Sequence, residues 1–256
     1  MKLNYVVEGE GEPIVFIHGL SDSLDYWEPV ASSLKENYKI IRMDLRGHGQ
    51  SELGNDEITI DLFADDLFNI LEELNLKKVN LVGFSLGGFV ALDFAVNHPE
   101  MISSLVLMSC NVKMTDHSQM VFNKFLNAIN SSFEDFYDVI LPMVLCPDVI
   151  ENHTEELELM RVYGAQTANV EAIKKAILAV NDFDIWDFLT EIDIPTLIIM
   201  GKYDEIFLPE DAADLSNQIK NSRLIVLDNL KHNLLVGKNV VKITDILDEF
   251  IKNNKK

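Results

Sequence analysis

A glycine-rich turn that carries a serine, at residues 81–88, constrains the fold of this chain more than any other feature of its sequence. An apolar run, Val79 to Val82, precedes the turn, and a helix-like run, Leu86 to Asn97, follows it. The centre reads Gly-x-Ser-x-Gly around Ser85, a spacing that suits a sharp strand-to-helix turn with the serine at its tip. Glycines two residues to either side have no Cβ to clash with the strained backbone at such a tip. The pattern predicts that the hydroxyl of Ser85 projects from the carboxyl end of a buried strand.

The rest of the chain supplies context for this motif, because short apolar runs alternate with helical patterns. Composition alone produces Gly-x-Ser-x-Gly in roughly one chain in ten of this size, so the motif by itself also fits an incidental turn. The strand-like runs occupy residues 3–7, 14–17, 38–43, 79–82, 104–108, 195–200 and 224–227. Strands that alternate with helices predict an α/β fold with a mostly parallel central sheet and helices on both faces. The first run alternates only weakly and is typical of an edge strand.

Residues 111–187 differ from this rhythm. Helical patterns follow one another there with no clear strand between them, and they are rich in aromatic and methionine side chains. We expect a helical lid at 111–187, inserted into an α/β core made of residues 1–110 and 188–256. Such a lid would wall an apolar pocket over the edge of the sheet. A plain helical subdomain that only packs against the core is the alternative interpretation.

Four polar residues, His18, Ser85, Asp204 and His232, each follow a predicted strand. The carboxyl ends of parallel strands meet at one edge of a sheet, and α/β proteins bind their ligands at that edge. We therefore expect these side chains to lie close together. Their shared location carries more weight than the serine motif alone.

The chemistry of a reactive serine assigns roles to three of these residues. A serine hydroxyl is a poor nucleophile at neutral pH, so it needs a base within hydrogen-bond reach, and a third group must orient that base. His232, in the loop before the last helix, is the predicted base for Ser85. Asp204 is the predicted orienting acid. Glu205 and Asp228 are the alternative acids, because the first adjoins Asp204 and the second lies near His232 in sequence.

A carbonyl carbon attacked by serine becomes an oxyanion, which needs two aimed hydrogen-bond donors. The backbone N–H of Leu86 is one predicted donor, because it directly follows Ser85. The backbone N–H of Leu20, just after His18-Gly19, is the other. His48 lies in a turn between two glycines. We expect it to shape that turn, and a substrate contact is the alternative.

The charge balance excludes several classes of partner. The chain carries 42 acidic and 21 basic side chains, a net charge of −21, whereas nucleic acids and anionic membranes bind through basic patches. No run reaches the ~18 uninterrupted apolar residues of a membrane span, and Glu8, Glu10 and Glu12 interrupt any signal-peptide pattern. We therefore expect a cytoplasmic protein that binds no nucleic acid and has no membrane span. We also expect it to be a monomer or a homodimer. Cys110 and Cys146 form no disulfide framework or metal spacing.

Taken together, these residues resemble the α/β-hydrolase superfamily over essentially the full chain. The matching segments are His18-Gly19, Asp44-Leu45-Arg46-Gly47-His48-Gly49-Gln50-Ser51, Gly83-Phe84-Ser85-Leu86-Gly87-Gly88, Asn97-His98-Pro99-Glu100, Gly201-Lys202-Tyr203-Asp204 and His232. The order Ser, Asp, His along the chain is the order of that family. The resemblance implies the α/β-hydrolase fold and the branch of small esterases, enol-lactonases and C–C hydrolases. One departure is Lys231, which stands where family members often have glycine. Another is Leu20, in place of the Gly-Gly run of hormone-sensitive-lipase-like enzymes.

Three functions remain open at this point. The first is a serine hydrolase of small, neutral carboxylic esters that works through an acyl-enzyme on Ser85, with no metal or organic cofactor; perhydrolysis is a conceivable side activity of the same acyl-enzyme. The second keeps the three residues but cleaves an enol-lactone or a C–C bond next to a ketone. That reaction needs a cation to hold a substrate carboxylate, and the candidates are Arg46, Lys113, Lys124 and Arg161. The third is a small-molecule receptor on the same fold.

Overall fold

A seven-stranded sheet forms the centre of the protein in a computed structural model that describes residues 1–254. The strands are β1 (Tyr5–Glu8), β2 (Glu12–Ile17), β3 (Tyr38–Met43), β4 (Val79–Phe84), β5 (Ile102–Met108), β6 (Thr196–Gly201) and β7 (Ser222–Leu227). Their order is β1-β3-β2-β4-β5-β6-β7. Only β1 runs antiparallel to its neighbour, β3, and the other pairs are parallel. The mostly parallel sheet and the edge position of the first strand are confirmed.

The order of the first parallel strands creates a crevice at the carboxyl end of the sheet. The chain passes from β2 to β3 on one side and then crosses to β4 on the other side of β2. Such a reversal leaves an opening between the loops that follow the two diverging strands, and ligands bind at openings of this kind. Ile17 lies opposite Gly83 in the β2–β4 pair. The loop that begins at His18 and the turn at Ser85 therefore border the same crevice.

Ten α-helices surround the sheet in the described part of the chain. They are α1 (Glu28–Leu34), α2 (Ile60–Glu73), α3 (Leu86–Asn97), α4 (Asp116–Ser131), α5 (Phe133–Val144), α6 (Pro147–Asn152), α7 (Thr154–Thr167), α8 (Val170–Asn181), α9 (Pro209–Gln218) and α10 (Asn239–Asn253). Successive side chains of a strand point to opposite faces of the sheet, and each face has its own hydrophobic core. Ile14 and Phe16 of β2 join the core under α1 and α10, whereas Val15 and Ile17 join the core under α2 and α3. Helices therefore cover both faces of the sheet, as predicted.

Helices α4 to α8 lie between β5 and β6, within residues 111–187, and we call this segment the helical insertion. Its two ends meet in a single antiparallel bridge between Lys113 and Asp184. Phe122, Phe125 and Phe136 bury their rings in the core that includes α3. Helices α6 and α7 bury no residue, so they form the solvent-facing side of the insertion. Residues 255 and 256, the last two of the expected α/β core, lie outside the described residues.

None of the helices within residues 1–254 combines the length and the apolar character that crossing a bilayer requires. Helix α3 is nevertheless almost wholly apolar, because it packs between the sheet and α2 rather than facing solvent.

Candidate active site

Ser85 occupies a strained turn between β4 and α3. Its backbone has φ 50° and ψ −116°, a conformation that residues other than glycine rarely adopt. Its N–H donates to the carbonyl of Met108 at 2.9 Å. The flanking glycines are required by space: a Cβ on Gly83 would collide with the backbone of Gly87, and one on Gly87 would collide with the carbonyl of Ile17. The serine side chain is 7% exposed and makes no cap hydrogen bond to α3. Its hydroxyl is therefore free to bond elsewhere.

The hydroxyl of Ser85 forms the first link of a hydrogen-bonded chain of three side chains. Its oxygen lies 2.9 Å from Nε2 of His232, and Nδ1 of His232 lies 2.8 Å from Oδ2 of Asp204. A carboxylate accepts hydrogen bonds, so Nδ1–H of the histidine is the donor and Nε2 carries the lone pair that accepts from Ser85. The structure thus brings together the three residues for which the sequence predicted a nucleophile, a base and an acid.

The carboxylate of Asp204 is held in place by its own loop. Its Oδ1 accepts from the backbone N–H groups of Ile206 at 2.9 Å and Phe207 at 3.1 Å, which leaves Oδ2 for His232. Both alternative acids point elsewhere: Glu205 pairs with Lys231, and Asp228 pairs with Lys202. Asp204 is the carboxylate that faces the histidine.

The backbone of His232 is positioned by contacts that sequence reasoning missed. Ser109, which follows β5, donates from Oγ to the carbonyl of His232 at 2.8 Å. The end of β6 approaches the same loop so closely that a Cβ on Gly201 would collide with the carbonyl of Lys231. The rings of Phe84 and Phe207 lie 5.3 and 5.8 Å from the imidazole. A serine after a buried strand was the only signal for Ser109, and it is too common a feature to assign a role.

The sequence predicted the backbone N–H groups of Leu20 and Leu86 as the two donors to an oxyanion. Within residues 1–254, neither the N–H of Leu20 nor that of Leu86 donates to a protein acceptor. The second belongs to the first turn of α3, where N–H groups have no partner inside the helix and the helix dipole favours negative charge. Both are therefore available to bind an oxygen atom that carries negative charge.

His18 orients the peptide that carries the N–H of Leu20. Its Nε2 accepts from the N–H of Leu45 at 3.0 Å, so Nδ1 carries the proton and donates to the carbonyl of Gly19 at 2.8 Å. The carbonyl of Gly19 and the N–H of Leu20 belong to one planar trans peptide and point in opposite directions. Burial lowers the pKa of His18 to about 3, so it stays neutral. It is thus a buried orienting group, separate from the serine, histidine and aspartate.

The segment from Asp44 to Ser51 forms a buried turn next to His18. The carboxylate of Asp44 accepts from the backbone N–H groups of Leu24 and Gln50, while Arg46 forms two hydrogen bonds to Asp66. His48 donates from Nδ1 to the carbonyl of Arg46, and burial lowers its pKa. These bonds support the interpretation that His48 shapes the turn.

The remaining histidines and the buried cysteine take no part in the hydrogen bonds that join Ser85, His232 and Asp204. His98 stacks on Phe68, His117 bonds the carbonyl of Glu205, and His153 bonds Glu156. Cys110 is 1% exposed against Gly88, and burial raises the pKa of its thiol. Within the described residues, no group of three or more His, Cys, Asp or Glu side chains is arranged to hold a metal ion.

Asp22 is a titratable residue near His232 that the sequence analysis did not single out. It lies two residues after Leu20, and its Oδ2 is 3.2 Å from the position that a Cβ on Gly19 would occupy. Burial raises the pKa of its carboxyl to about 7, against the smaller opposing effect of a protonated His232. An ionised Asp22 therefore adds a negative charge that interacts with His232.

Aromatic rings connect the serine–histidine pair to the helical insertion. Phe207 contacts Phe89 of α3 and Phe122 of α4, with ring centroids 5.5 and 5.8 Å apart. Phe125 and Phe136 continue this row into α5. The side of the site that faces the insertion is therefore apolar.

Comparison with known proteins relates this arrangement to one family. A family model described as alpha/beta hydrolase fold matches residues 12–142, slightly more than half of the chain. A protein of Agrobacterium fabrum named "Putative carbamate hydrolase RutD" is 30% identical over 243 residues, which span 93% of this chain and 90% of that protein.

Solved structures give the same result for the fold. The enol-lactonase of Burkholderia xenovorans has a TM-score of 0.90 at 23% identity and covers 98% of this chain and 96% of its own. A thermophilic esterase of Thermogutta terrifontis has a TM-score of 0.88 at 24% identity and covers 99% of this chain and 94% of its own.

Proposed function

Because the chain belongs to the alpha/beta hydrolase fold family, we propose that it is a serine hydrolase that cleaves small, neutral carboxylic esters. The observation that carries this proposal is the continuous chain of hydrogen bonds from Ser85 through His232 to Asp204. A histidine held by a carboxylate and bonded to a serine hydroxyl is the arrangement that activates serine for attack on an acyl carbon.

In the proposed reaction, Oγ of Ser85 attacks the ester carbonyl carbon while Nε2 of His232 takes the hydroxyl proton. The carbonyl oxygen gains negative charge and accepts from the N–H groups of Leu20 and Leu86. His232 then gives its proton to the leaving alkoxide, which departs as the alcohol and leaves an acyl-enzyme. Water attacks that acyl group, its proton passes to His232, and the acid is released as Ser85 regains its proton. Asp204 stabilises the charged imidazole throughout.

The surroundings of the site favour an uncharged substrate. Most of the cations considered for a substrate carboxylate are engaged elsewhere: Arg46 is buried against Asp66, and Arg161 binds Asp138 through two nitrogens. Lys113 lies over the ring of Trp186 at 4.4 Å, and Lys124 is exposed on α4. Asp22 adds repulsion for an anion above about pH 7, where its carboxyl is ionised. These contacts support a neutral ester over an enol-lactone or diketone that carries a carboxylate.

Hydrolysis of p-nitrophenyl esters across an acyl series, from acetyl to dodecanoyl, tests the proposal. We expect turnover of at least the shorter esters, and Ser85→Ala should abolish it while leaving the circular dichroism spectrum and Tm close to those of the parent. Ser109→Ala is the comparison variant: its hydroxyl bonds the backbone carbonyl of His232 and not the imidazole, so its loss should lower activity far less. Full activity in Ser85→Ala would refute the assignment of the nucleophile.

Carbamates form a second candidate substrate class, because the Agrobacterium fabrum relative is named as a carbamate hydrolase. A carbamate carbonyl presents the same electrophilic carbon and the same developing oxyanion, so no additional group is required of the site. A p-nitrophenyl carbamate assayed beside the acetate decides between the two classes: a higher kcat/KM for the carbamate would reassign the substrate but keep the roles of the three residues.

A further inference from the structure

The loop that carries His232 is attached to the helical insertion on both sides of the histidine. Nζ of Lys231 donates to the carbonyl of Pro142 at 2.7 Å, and the N–H of Asn233 donates to the carbonyl of Val144 at 3.0 Å. Both acceptors lie in the last turn of α5. The residues directly before and after His232 are therefore bonded to the end of one helix.

These bonds satisfy groups that a helix leaves without partners. The last four carbonyls of an α-helix have no intrahelical donor, and the negative end of the helix dipole attracts a cation. The ammonium of Lys231 and the N–H of Asn233 supply two of the missing donors at the end of α5. The contact is thus favourable for both segments, and it explains why a lysine can stand where the family often has glycine.

Lys231 also reaches the loop that carries the acid. Its Nζ lies 2.9 Å from Oε1 of Glu205, the residue next to Asp204, and its side chain is only 14% exposed. A second contact between the insertion and this loop runs from His117 of α4 to the carbonyl of Glu205 at 2.8 Å. One ammonium therefore joins the histidine loop, the acid loop and the end of α5.

We propose that Lys231 is a positioning residue that fixes the imidazole of His232 by docking its loop on the end of α5. This inference rests on the proposed serine-hydrolase function for its kinetic consequence, but the docking itself does not depend on that function. Displacing a catalytic group by about 1 Å can cost on the order of 10²-fold in rate. Movement of α5 away from the core would therefore also displace the base.

Lys231→Met tests the proposal, because it keeps most of the side-chain volume and removes the three donors. We expect kcat toward p-nitrophenyl acetate to fall by at least ~10-fold with KM changed by less than ~3-fold, and Lys231→Arg to recover most of the loss. Lys202→Met is the matched control: Lys202 forms a similar 2.8 Å ion pair, but it is 53% exposed and its ammonium bonds Asp228 rather than the end of α5. It should stay within about twofold of the parent.

Hydrogen–deuterium exchange gives a readout that needs no substrate. In Lys231→Met, amides in the peptides that span residues 229–235 should exchange faster than in the parent and in Lys202→Met. Without the bonds of Lys231 to Pro142 and Glu205, the loop is held less firmly on α5, and the bond from Asn233 to Val144 opens more often. Unchanged exchange and unchanged kcat would overturn the proposal. If the parent cleaves no ester but the exchange still rises, the proposed function fails and the docking role stands. Should Lys231→Met not fold, Lys231→Gln takes its place in both measurements.

Discussion

At the scale of single residues, the imidazole of His232 has two possible tautomers, and Asp204 selects the one that can act as a base. The carboxylate accepts from Nδ1–H, which leaves the lone pair of Nε2 facing Ser85. An amide at position 204 could instead donate to Nδ1 and reverse this arrangement.

Asp204→Asn should therefore lower kcat by about four orders of magnitude, the loss typical of removing an orienting carboxylate from such a triad, with a small change in Tm. Steady-state hydrolysis of p-nitrophenyl acetate measures it. Asp228→Asn is the control, because Asp228 pairs with Lys202 on the surface. Equal activities in the two variants would contradict the assignment of Asp204.

The raised pKa of Asp22 predicts a pH dependence of stability. Its usual pKa is 3.8, and burial raises the native value to about 7. The native state therefore holds the proton more tightly than the unfolded state. The stability that this group contributes is complete below about pH 4, falls as the pH rises toward 7, and stays low above that.

Asp22→Asn removes this titration. The Tm of the variant should match that of the parent near pH 4 and exceed it by several degrees at pH 8, since about 1 kcal/mol corresponds to 2–4 °C for a chain of this size. Thermal melts at a series of pH values measure the difference, with the exposed Asp25→Asn as the control. A difference in Tm that does not grow between pH 4 and pH 8 would be inconsistent with the burial of a neutral carboxyl.

Sequence reasoning located Ser85, Asp204 and His232 because each follows a strand of a parallel sheet, and strand ends share one edge. It could not separate Asp204 from Glu205, since adjacent acidic residues differ only in the direction of their side chains. It missed Asp22 and Ser109 because their contacts are with backbone or with residues distant in the chain. The orienting role of His18 likewise depends on the N–H of Leu45 from another strand end.

At the scale of elements, the turn at Ser85 holds α3 against β2 at a distance that only glycine permits. A Cβ on Gly87 would collide with the carbonyls of Ile17 and His18, the residues that lead into the loop of Leu20. Any side chain there has to push α3 away from this loop.

Gly87→Ala should therefore destabilise the protein by about 1–3 kcal/mol, the usual cost of overpacking, and should lower kcat by displacing the N–H of Leu86. Denaturant unfolding and ester kinetics measure the two effects. Gly237→Ala is the control: a Cβ there meets nothing within 4 Å, so it tests only the strain of its positive φ of 52°. Equal losses of activity in the two variants would contradict the role assigned to the collision, because Gly87 has no positive φ of its own.

Apolar periodicity predicted the parallel strands and the helices on both faces of the sheet, because each element buries apolar residues at a regular spacing. The division of the chain into a core and a helical lid stays a prediction. The order of the strands was not predictable in the same way, since parallel strands with similar apolar runs can exchange places without changing the pattern. The docking of residues 231–233 on α5 was not predictable either, because its acceptors are backbone carbonyls, which residues of any type can supply.

At the scale of the whole molecule, the net charge of −21 produces a negative field around the site, and two of the candidate cations, Arg46 and Arg161, are paired with carboxylates. A neutral ester approaches without penalty, whereas an anionic ester of equal length is repelled. Salt screens this repulsion, because the Debye length falls from about 30 Å at 0.01 M to about 8 Å at 0.15 M.

The ratio of kcat/KM for p-nitrophenyl butyrate to that for mono-p-nitrophenyl succinate should therefore exceed ten in 0.01 M salt, an order-of-magnitude expectation from electrostatic steering, and should fall as NaCl is added. Initial rates at several salt concentrations measure it. A preference for the succinate ester, or a ratio that salt does not change, would contradict the proposed selectivity.

Covalent labelling with a fluorophosphonate tests most directly whether the three side chains act as one nucleophilic unit. Intact-mass analysis followed by peptide mapping should show rapid addition of a single label at Ser85, no label in Ser85→Ala, and labelling slowed by at least ~10³-fold in His232→Ala. A label on another serine, no label at all, or an unchanged rate in His232→Ala would contradict this account and favour a binding protein on the same fold.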